Sequence, residues 1–368
     1  MKATKWVMAF RWLTHPSAGI WPRLMKQLYN TVAIPKMTYR ADVWYTPIYK
    51  QKGRSRASGS VGVMGKLALL QRMATTAITG ALRSTAMDIL DLHVGVLPVG
   101  LLLRRICHGA MLCLASLPAS HPLHKLAIIR AKHYIKMHWY PLHKLAHIFE
   151  VAPQEMETVS PPARSPSHRS QCTLIIPATA EESADHASQC TAELKVYSDG
   201  LGTEGGAGAA AALFKMGQEP RILTYHLETL DNHTMFEAEV IGLSLALHMI
   251  CLERHASSVA IRLDNQAVIQ SLQYCKPRPS QYIINFLLFQ IKDILQQATD
   301  PDFIMSIVWV RGHINVEGNK LVDGAAKAAA VGESSQEALL PPEWATSTLP
   351  ASISAWKQVY KTALHKQW

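Results

Sequence analysis

Cysteine is scarce and scattered. Six occur in 368 residues, at positions 107, 113, 172, 190, 251 and 275, with no C-x-x-C pair. A disulfide scaffold and a clustered-thiolate zinc site are thereby excluded, and a reducing intracellular compartment, nuclear or cytoplasmic, is expected. Long apolar runs are also missing. Val94–Leu103 contains Pro98 and Ile106–Leu117 contains His108, and both fall short of the roughly 18–20 residues of a membrane span. The apolar run between Lys5 and Arg11 has five residues, too few for a secretory core of about 7–15. No membrane partner is expected. Acidic residues are nearly absent from positions 1–150: Asp42, Asp88, Asp91 and Glu150 stand against 21 Lys and Arg, a net +17. Residues 151–368 hold 16 basic and 23 acidic groups, a net −7. The overall +10 thus hides a strongly basic half joined to a mildly acidic one. Such a split fits a polyanion partner for the first half; a basic face with no partner is the bland alternative.

Apolar material is ample, at 48% hydrophobic against 17% charged residues, so packed domains are expected rather than disorder. Residues 1–150 read as mainly helical. Trp21–Tyr29, Gly65–Leu82 and Leu101–Leu117 repeat apolar residues at three- and four-residue intervals, the helical period. Two glycines and Pro98 in Val94–Gly100 predict a break. Residues 151–192 are rich in Pro, Ser, Ala and acid, and read as a poorly ordered linker. From Glu193 the pattern becomes compact. Strands are predicted at Leu194–Ser198, Gly206–Phe214, Arg221–Glu228, Ser258–Leu263 and Ile304–Val310. Helices are predicted at Thr234–Glu253, capped by Thr234, then at Asn265–Gln273, Gln281–Ala298 and Val316–Ala330. Three strands joined by short turns predict an antiparallel meander, and strands alternating with helices add in parallel. The expected fold class is α/β, a five-stranded mixed sheet flanked by helices over 193–331, with 332–368 as a tail.

Two carboxylates directly follow predicted strands, Asp199 in VYSDG and Asp264 in IRLDN. Strand ends sit at one edge of a sheet, where ligands gather in α/β folds. Glu239 lies early in a helix, and Asp323 within the last one. Four converging carboxylates repel one another unless they hold cations, and hard cations such as Mg²⁺ prefer oxygen ligands. Spacing alone leaves a second reading open, in which all four are solvated turn and cap residues.

The segments VYSDG, TMFEAEVIGLSLAL, IRLDNQAVIQSL and WVRGHINVEGNKLVDGAAKAA, in this order and spacing, resemble the type 1 ribonuclease H family. They are most similar to the ribonuclease H domain of fungal-type non-long-terminal-repeat retrotransposon reverse transcriptases. The resemblance spans about residues 193–331. It implies a five-stranded mixed sheet and hydrolysis of the RNA strand of an RNA–DNA hybrid with two Mg²⁺ ions, Mn²⁺ serving as a substitute. By motif position, Asp199 resembles the carboxylate that bridges both metals. Glu239 and Asp264 resemble ligands on the leaving-group side, and Asp323 a ligand on the nucleophile side. His313 resembles a mobile-loop histidine that aids proton transfer or product release. Thr234, Ala238, Glu239 and Val240 fit the family's helix pattern, which selects Glu239 over Glu237; Glu237 is then a first-turn dipole residue. Lys320 and Leu201 depart from the pattern, which usually has an acid and a small hydroxyl residue there. YNTVAIPKMTYRADVWYTP and the stretch from Leu67 to Leu103 resemble the thumb or connection region of the same retrotransposon enzymes. No Asp-Asp pair occurs in the sequence, so the metal-binding palm motif of a polymerase is missing and the chain is expected to be the C-terminal part of a longer element protein. The competing function is a nucleic-acid-binding remnant that no longer cuts.

Two weaker motifs remain. Gly200–Gly205 matches G-x-G-x-x-G, but dinucleotide binding requires a helix next, and a strand is predicted. His143 and His147, four apart on a predicted helix, have metal-ligand spacing. No Cys or acid accompanies them, so they and His108, His121, His124, His133 and His138 are expected at the surface or at boundaries.

Overall fold

The computed structural model describes residues 2–13, 19–50, 55–125, 141–163, 172–253, 255–273, 277–311, 317–345 and 348–368. The chain divides into two units, one of residues 1–154 with 357–368 and one of residues 155–356.

The first unit is helical. Its longer helices are α1 (Lys2–Leu13), α2 (Pro22–Leu28), α3 (Val61–Thr79), α4 (Met87–Val94), α5 (Val99–Ala115) and α6 (Pro141–Phe149). Gly80 and Gly95 end α3 and α4 in the left-handed region, with φ of 68° and 67°, a conformation glycine adopts without steric cost. With Pro98 at the N-cap of α5, they make the break predicted around Val94–Gly100. Val7, Met25, Tyr29, Ala74, Ile78 and Val94 form one buried cluster. His108 corrects an expectation. It is buried and stacks on Tyr360 with ring centroids 3.9 Å apart, and burial pushes its pKa down to about 4. Its position on the apolar face of α5 outweighs its polarity.

The second unit is built on a mixed sheet of six strands: β1 (Thr173–Ile175), β2 (Leu194–Thr203), β3 (Gly206–Lys215), β4 (Arg221–Thr229), β5 (Ser258–Leu263) and β6 (Ile304–Trp309), in the order β1-β6-β5-β2-β3-β4. The β2–β3–β4 meander is antiparallel, and the β2–β5 and β5–β6 pairs are parallel, as predicted. Helices α7 (Ala180–Ser188), α8 (Met235–Cys251), α9 (Gln266–Gln273), α10 (Gln281–Gln297) and α11 (Glu317–Ala330) accompany the sheet, and α12 (Ile353–Gln367) begins in this unit and continues into the first. The core lies between the sheet and α8 with α10; Ile241, Leu245, Ile284 and Leu287 are fully buried in it.

Two segments differ from expectation. Within the predicted linker, Thr173–Ile175 pairs in parallel with Ser306–Val308 and supplies a sixth strand. Thr179 caps α7 by accepting from the Glu182 N–H at 3.2 Å, and the buried Ser183 hydroxyl bridges Trp309 and Arg311. Glu157, in the same segment, is 1% exposed and accepts from the Ser280 N–H at 2.5 Å and the Ile353 N–H at 2.8 Å. It thus supplies an acceptor at the starts of both α10 and α12. The predicted tail is also built in. Ser334 and Ser335 hydrogen-bond the edge of β4, Trp344 donates to Ser244 of α8 at 3.0 Å, and Ala351 pairs with Met156.

The G-x-G-x-x-G segment is a hairpin. Glu204 and Gly205, with φ of 52° and 83°, form the two-residue turn between β2 and β3, whose twist requires positive φ at both positions. A strand follows and not a helix, which removes the dinucleotide reading. No described helix is long and apolar enough to cross a membrane.

Candidate active site

The sheet register brings two carboxylates together. β2 and β5 pair in parallel from Leu194↔Val259 to Tyr197↔Arg262. Two residues further along each chain stand Asp199 and Asp264, so the same register that pairs Tyr197 with Arg262 sets the two acids side by side. Asp199 lies inside β2 and not after it, contrary to the sequence pattern. The hairpin with β3 carries β2 on to Thr203, while pairing with β5 stops two residues before Asp199. The Trp309 indole donates to the Asp264 carbonyl at 2.8 Å and pins the turn that carries the second acid.

Helix α8 delivers the third carboxylate. A Cβ on Gly200 would overlap the backbone of Ala238 and Glu239, so only glycine lets the helix lie this close to β2. The start of α8 is fixed by a capping box between Thr234 and Glu237. Glu237 is wholly buried and also accepts from Ser280 Oγ at 2.8 Å. Glu237 is therefore a cap, and Glu239, two residues on and so on a different face of the helix, reaches the acids. Each of Asp199, Glu239 and Asp264 offers an oxygen within 4.8 Å of the others.

The electrostatics are those of crowded like charges. Glu239 is 8% exposed, and its Oε2 is buried with no hydrogen-bond partner. Burial, then the charges of Asp264 and Asp199, push its pKa up to about 9. Burial and Asp264 raise Asp199 to about 6, although the Gly200 N–H donates to Asp199 Oδ1 at 2.8 Å. A buried carboxylate oxygen without a donor, facing two further carboxylates, is a donor set of oxygens alone. Such a set suits a hard divalent cation. Among the described residues, this group contains no histidine or cysteine.

The other two candidates stand differently. Asp323 lies on α11, which packs on β2 and β3; a Cβ on Gly208 would overlap the α11 backbone at Ala329 and Ala330. The Asp323 charge reaches Asp199 and raises it. Its carboxylate is outside the group of three and bonds Lys327 Nζ at 2.6 Å. His313 lies outside the described residues. Lys320 is exposed in the first turn of α11. Sequence reasoning missed Lys327, although D-x-x-x-K at helical spacing in VDGAAK marks such a pair.

Residues 191–331 match the RNase H family model. Solved structures that resemble the chain include RNase H1 from the halophilic archaeon Halobacterium salinarum NRC-1, 17% identical, covering 38% of this chain and 98% of that one at a TM-score of 0.30. Another is the N-terminal RNase H domain of rv2228c from Mycobacterium tuberculosis, as a fusion with maltose-binding protein, at 16% identity, 37% and 98% coverage and a TM-score of 0.29. A third is LC11-RNase H1 in complex with an RNA/DNA hybrid, at 16% identity, 37% and 98% coverage and a TM-score of 0.27. No curated protein matches the chain. The six-stranded mixed sheet with its helices is an RNase H-like fold, joined to a helical region.

Proposed function

We propose that the RNase H-like domain hydrolyses the RNA strand of RNA–DNA hybrids, as part of a retrotransposon-derived protein. The observation that carries this reading is the carboxylate group of Asp199, Glu239 and Asp264, with its buried and unpartnered Glu239 oxygen, inside a region that matches the RNase H model. Asp199, Glu239, Asp264 and Asp323 would hold two divalent cations, Mg²⁺ in the first place and Mn²⁺ as substitute. Bound there, the cations would polarise a phosphodiester and its attacking water and stabilise the leaving oxygen. The chain's own part is to hold the ligands rigidly. The Gly200 N–H engages one oxygen of Asp199, the Trp309 indole fixes the turn at Asp264, and the Gly200 contact sets the depth of Glu239. His313, from its motif, would aid proton transfer or product release. The basic half would bind the phosphate backbone through its net +17, consistent with the likeness of its sequence to a thumb or connection region.

One observation favours a second reading. Asp323 is engaged by Lys327 and not by the other acids, as it would be in an idle nucleic-acid-binding remnant. A substrate panel separates the two. The full chain with Mg²⁺ should cut labelled RNA annealed to DNA, and leave single-stranded RNA, RNA duplex and DNA duplex intact. Removal of divalent ions with EDTA should stop cutting without abolishing binding. A folded protein that binds the hybrid and leaves its RNA intact would establish the remnant.

A further inference from the structure

We propose that Lys327 is a built-in competitor for the cation position between Asp199 and Asp323, so that a second divalent ion binds this chain only by displacing the Lys327 ammonium. The inference rests on the metal-binding reading above and adds an order of occupancy to it. A first ion would take Asp199, Glu239 and Asp264, and the second would enter more weakly.

Three observations converge on this. Lys327 Nζ is 2.6 Å from Asp323 Oδ2, the two residues being four apart on α11. Asp323 stays outside the group of three acids, whose oxygens already lie within 4.8 Å of one another. The ammonium also acts on Asp199: it lowers the Asp199 pKa, and Asp199 in turn raises that of Lys327. The ammonium thus sits on Asp323, on the helix that packs against β2, the strand of Asp199. The lysine can leave. Its side chain is 56% exposed, and its flexible four-carbon stem gives the head group a path into water. A divalent ion replaces it only by outcompeting an ion pair that is already formed.

The test reads ion binding and not cleavage. Free Mn²⁺ is measured by electron paramagnetic resonance during titration of the full chain. Wild type is compared with Lys327→Met, Lys327→Arg, Lys320→Met, Asp323→Asn and Asp264→Asn, each checked for folding by circular dichroism. Wild type is expected to show one stronger and one weaker class of Mn²⁺. Lys327→Met should tighten the weaker class roughly two- to fivefold, the scale of an exposed ion pair, and leave the stronger class unchanged. Lys327→Arg should behave as wild type, and Asp323→Asn should lose the weaker class. An unchanged or weakened second class in Lys327→Met overturns the proposal. So does equal tightening by Lys320→Met, because Lys320 is an exposed cation of the same helix and reports only diffuse charge. If Asp264→Asn binds Mn²⁺ as wild type does, the metal-binding reading itself fails; if Asp264→Asn weakens the stronger class while Lys327→Met changes nothing, only the displacement does.

Discussion

Glu239 should make the RNase H-like unit more stable when it is neutralised. In the fold, burial and two neighbouring carboxylates raise its pKa from 4.5 to about 9. Between those values the native chain holds a proton that the unfolded chain has lost. Stability contributed by that proton is complete below about pH 4.5 and is lost as pH rises toward 9. Each pH unit in the window is worth about 1.4 kcal/mol, so at pH 7 the native state has lost roughly 3 kcal/mol. Glu239→Gln keeps the shape and removes the titration. In EDTA at pH 7 its melting temperature should exceed that of wild type by roughly 6–12 °C, at about 2–4 °C per kcal/mol for a unit of this size. The gap should nearly close at pH 5 and widen at pH 8. Asp199, raised to about 6 by burial and Asp264, adds a slope of the same sign that Glu239→Gln does not remove. Mg²⁺ should reverse the order by stabilising wild type more than the variant. Melting curves at pH 5, 6, 7 and 8, with and without Mg²⁺, provide the measurement. A variant less stable than wild type at pH 7 in EDTA, or a gap independent of pH, would refute the reasoning, because burial and the neighbouring acids would then not be disfavouring the charged form of Glu239.

Glu157→Ala leaves the buried N–H groups of Ser280 and Ile353 without their acceptor and should lower stability by about 2–5 kcal/mol, read by urea unfolding; no change in stability would show that water replaces the carboxylate. Gly200→Ala places a methyl group on the α8 backbone and should cost about 1–3 kcal/mol while reducing Mn²⁺ affinity at the three-acid group; unchanged affinity would mean that the helix position does not set the site. Lys50, Arg56, Lys66 and Arg83 are exposed cations of the first unit. Alanine at all four should flatten the salt dependence of hybrid binding by about 0.9 for each phosphate no longer neutralised, and cleavage at saturating hybrid should change little. An unchanged salt slope would remove the basic face from the binding account.

The site is legible in the sequence because its carriers are local. VYSDG and IRLDN place acids near the ends of short apolar strand patterns, and Thr234 marks the start of α8, while Glu239 is selected over Glu237 by the family pattern that this segment resembles. The boundaries of β5, α9 and α10 also agree with the sequence to within a residue. What the sequence hides is tertiary. Asp199 reads as following its strand because pairing with β3, not local composition, carries β2 five residues further. β1 escapes a sequence reading because three residues between Ser- and Pro-rich stretches have no periodicity of their own; they are a strand only because β6 offers an open parallel edge. Glu157 reads as a linker acid, and only the fold turns it toward two helix starts. His108 reads as one of many basic-region histidines, yet the apolar face of α5 places it inside. The pairing of Asp323 with Lys327 is visible as i,i+4 spacing, but that it removes Asp323 from the other acids is a matter of geometry.

The central claim is that Asp199, Glu239 and Asp264 form a hydrolytic centre for hybrids. Its most direct test is single-turnover cleavage of a hybrid labelled on the RNA strand, with Mg²⁺ and the 368-residue chain, comparing wild type with Asp264→Asn at equal hybrid occupancy. The account predicts that wild type cuts only the RNA strand and that Asp264→Asn binds equally but cuts at least a hundredfold more slowly, a barrier increase of about 2.7 kcal/mol or more. Equal cleavage by the two proteins, or none by wild type at full occupancy, would contradict it.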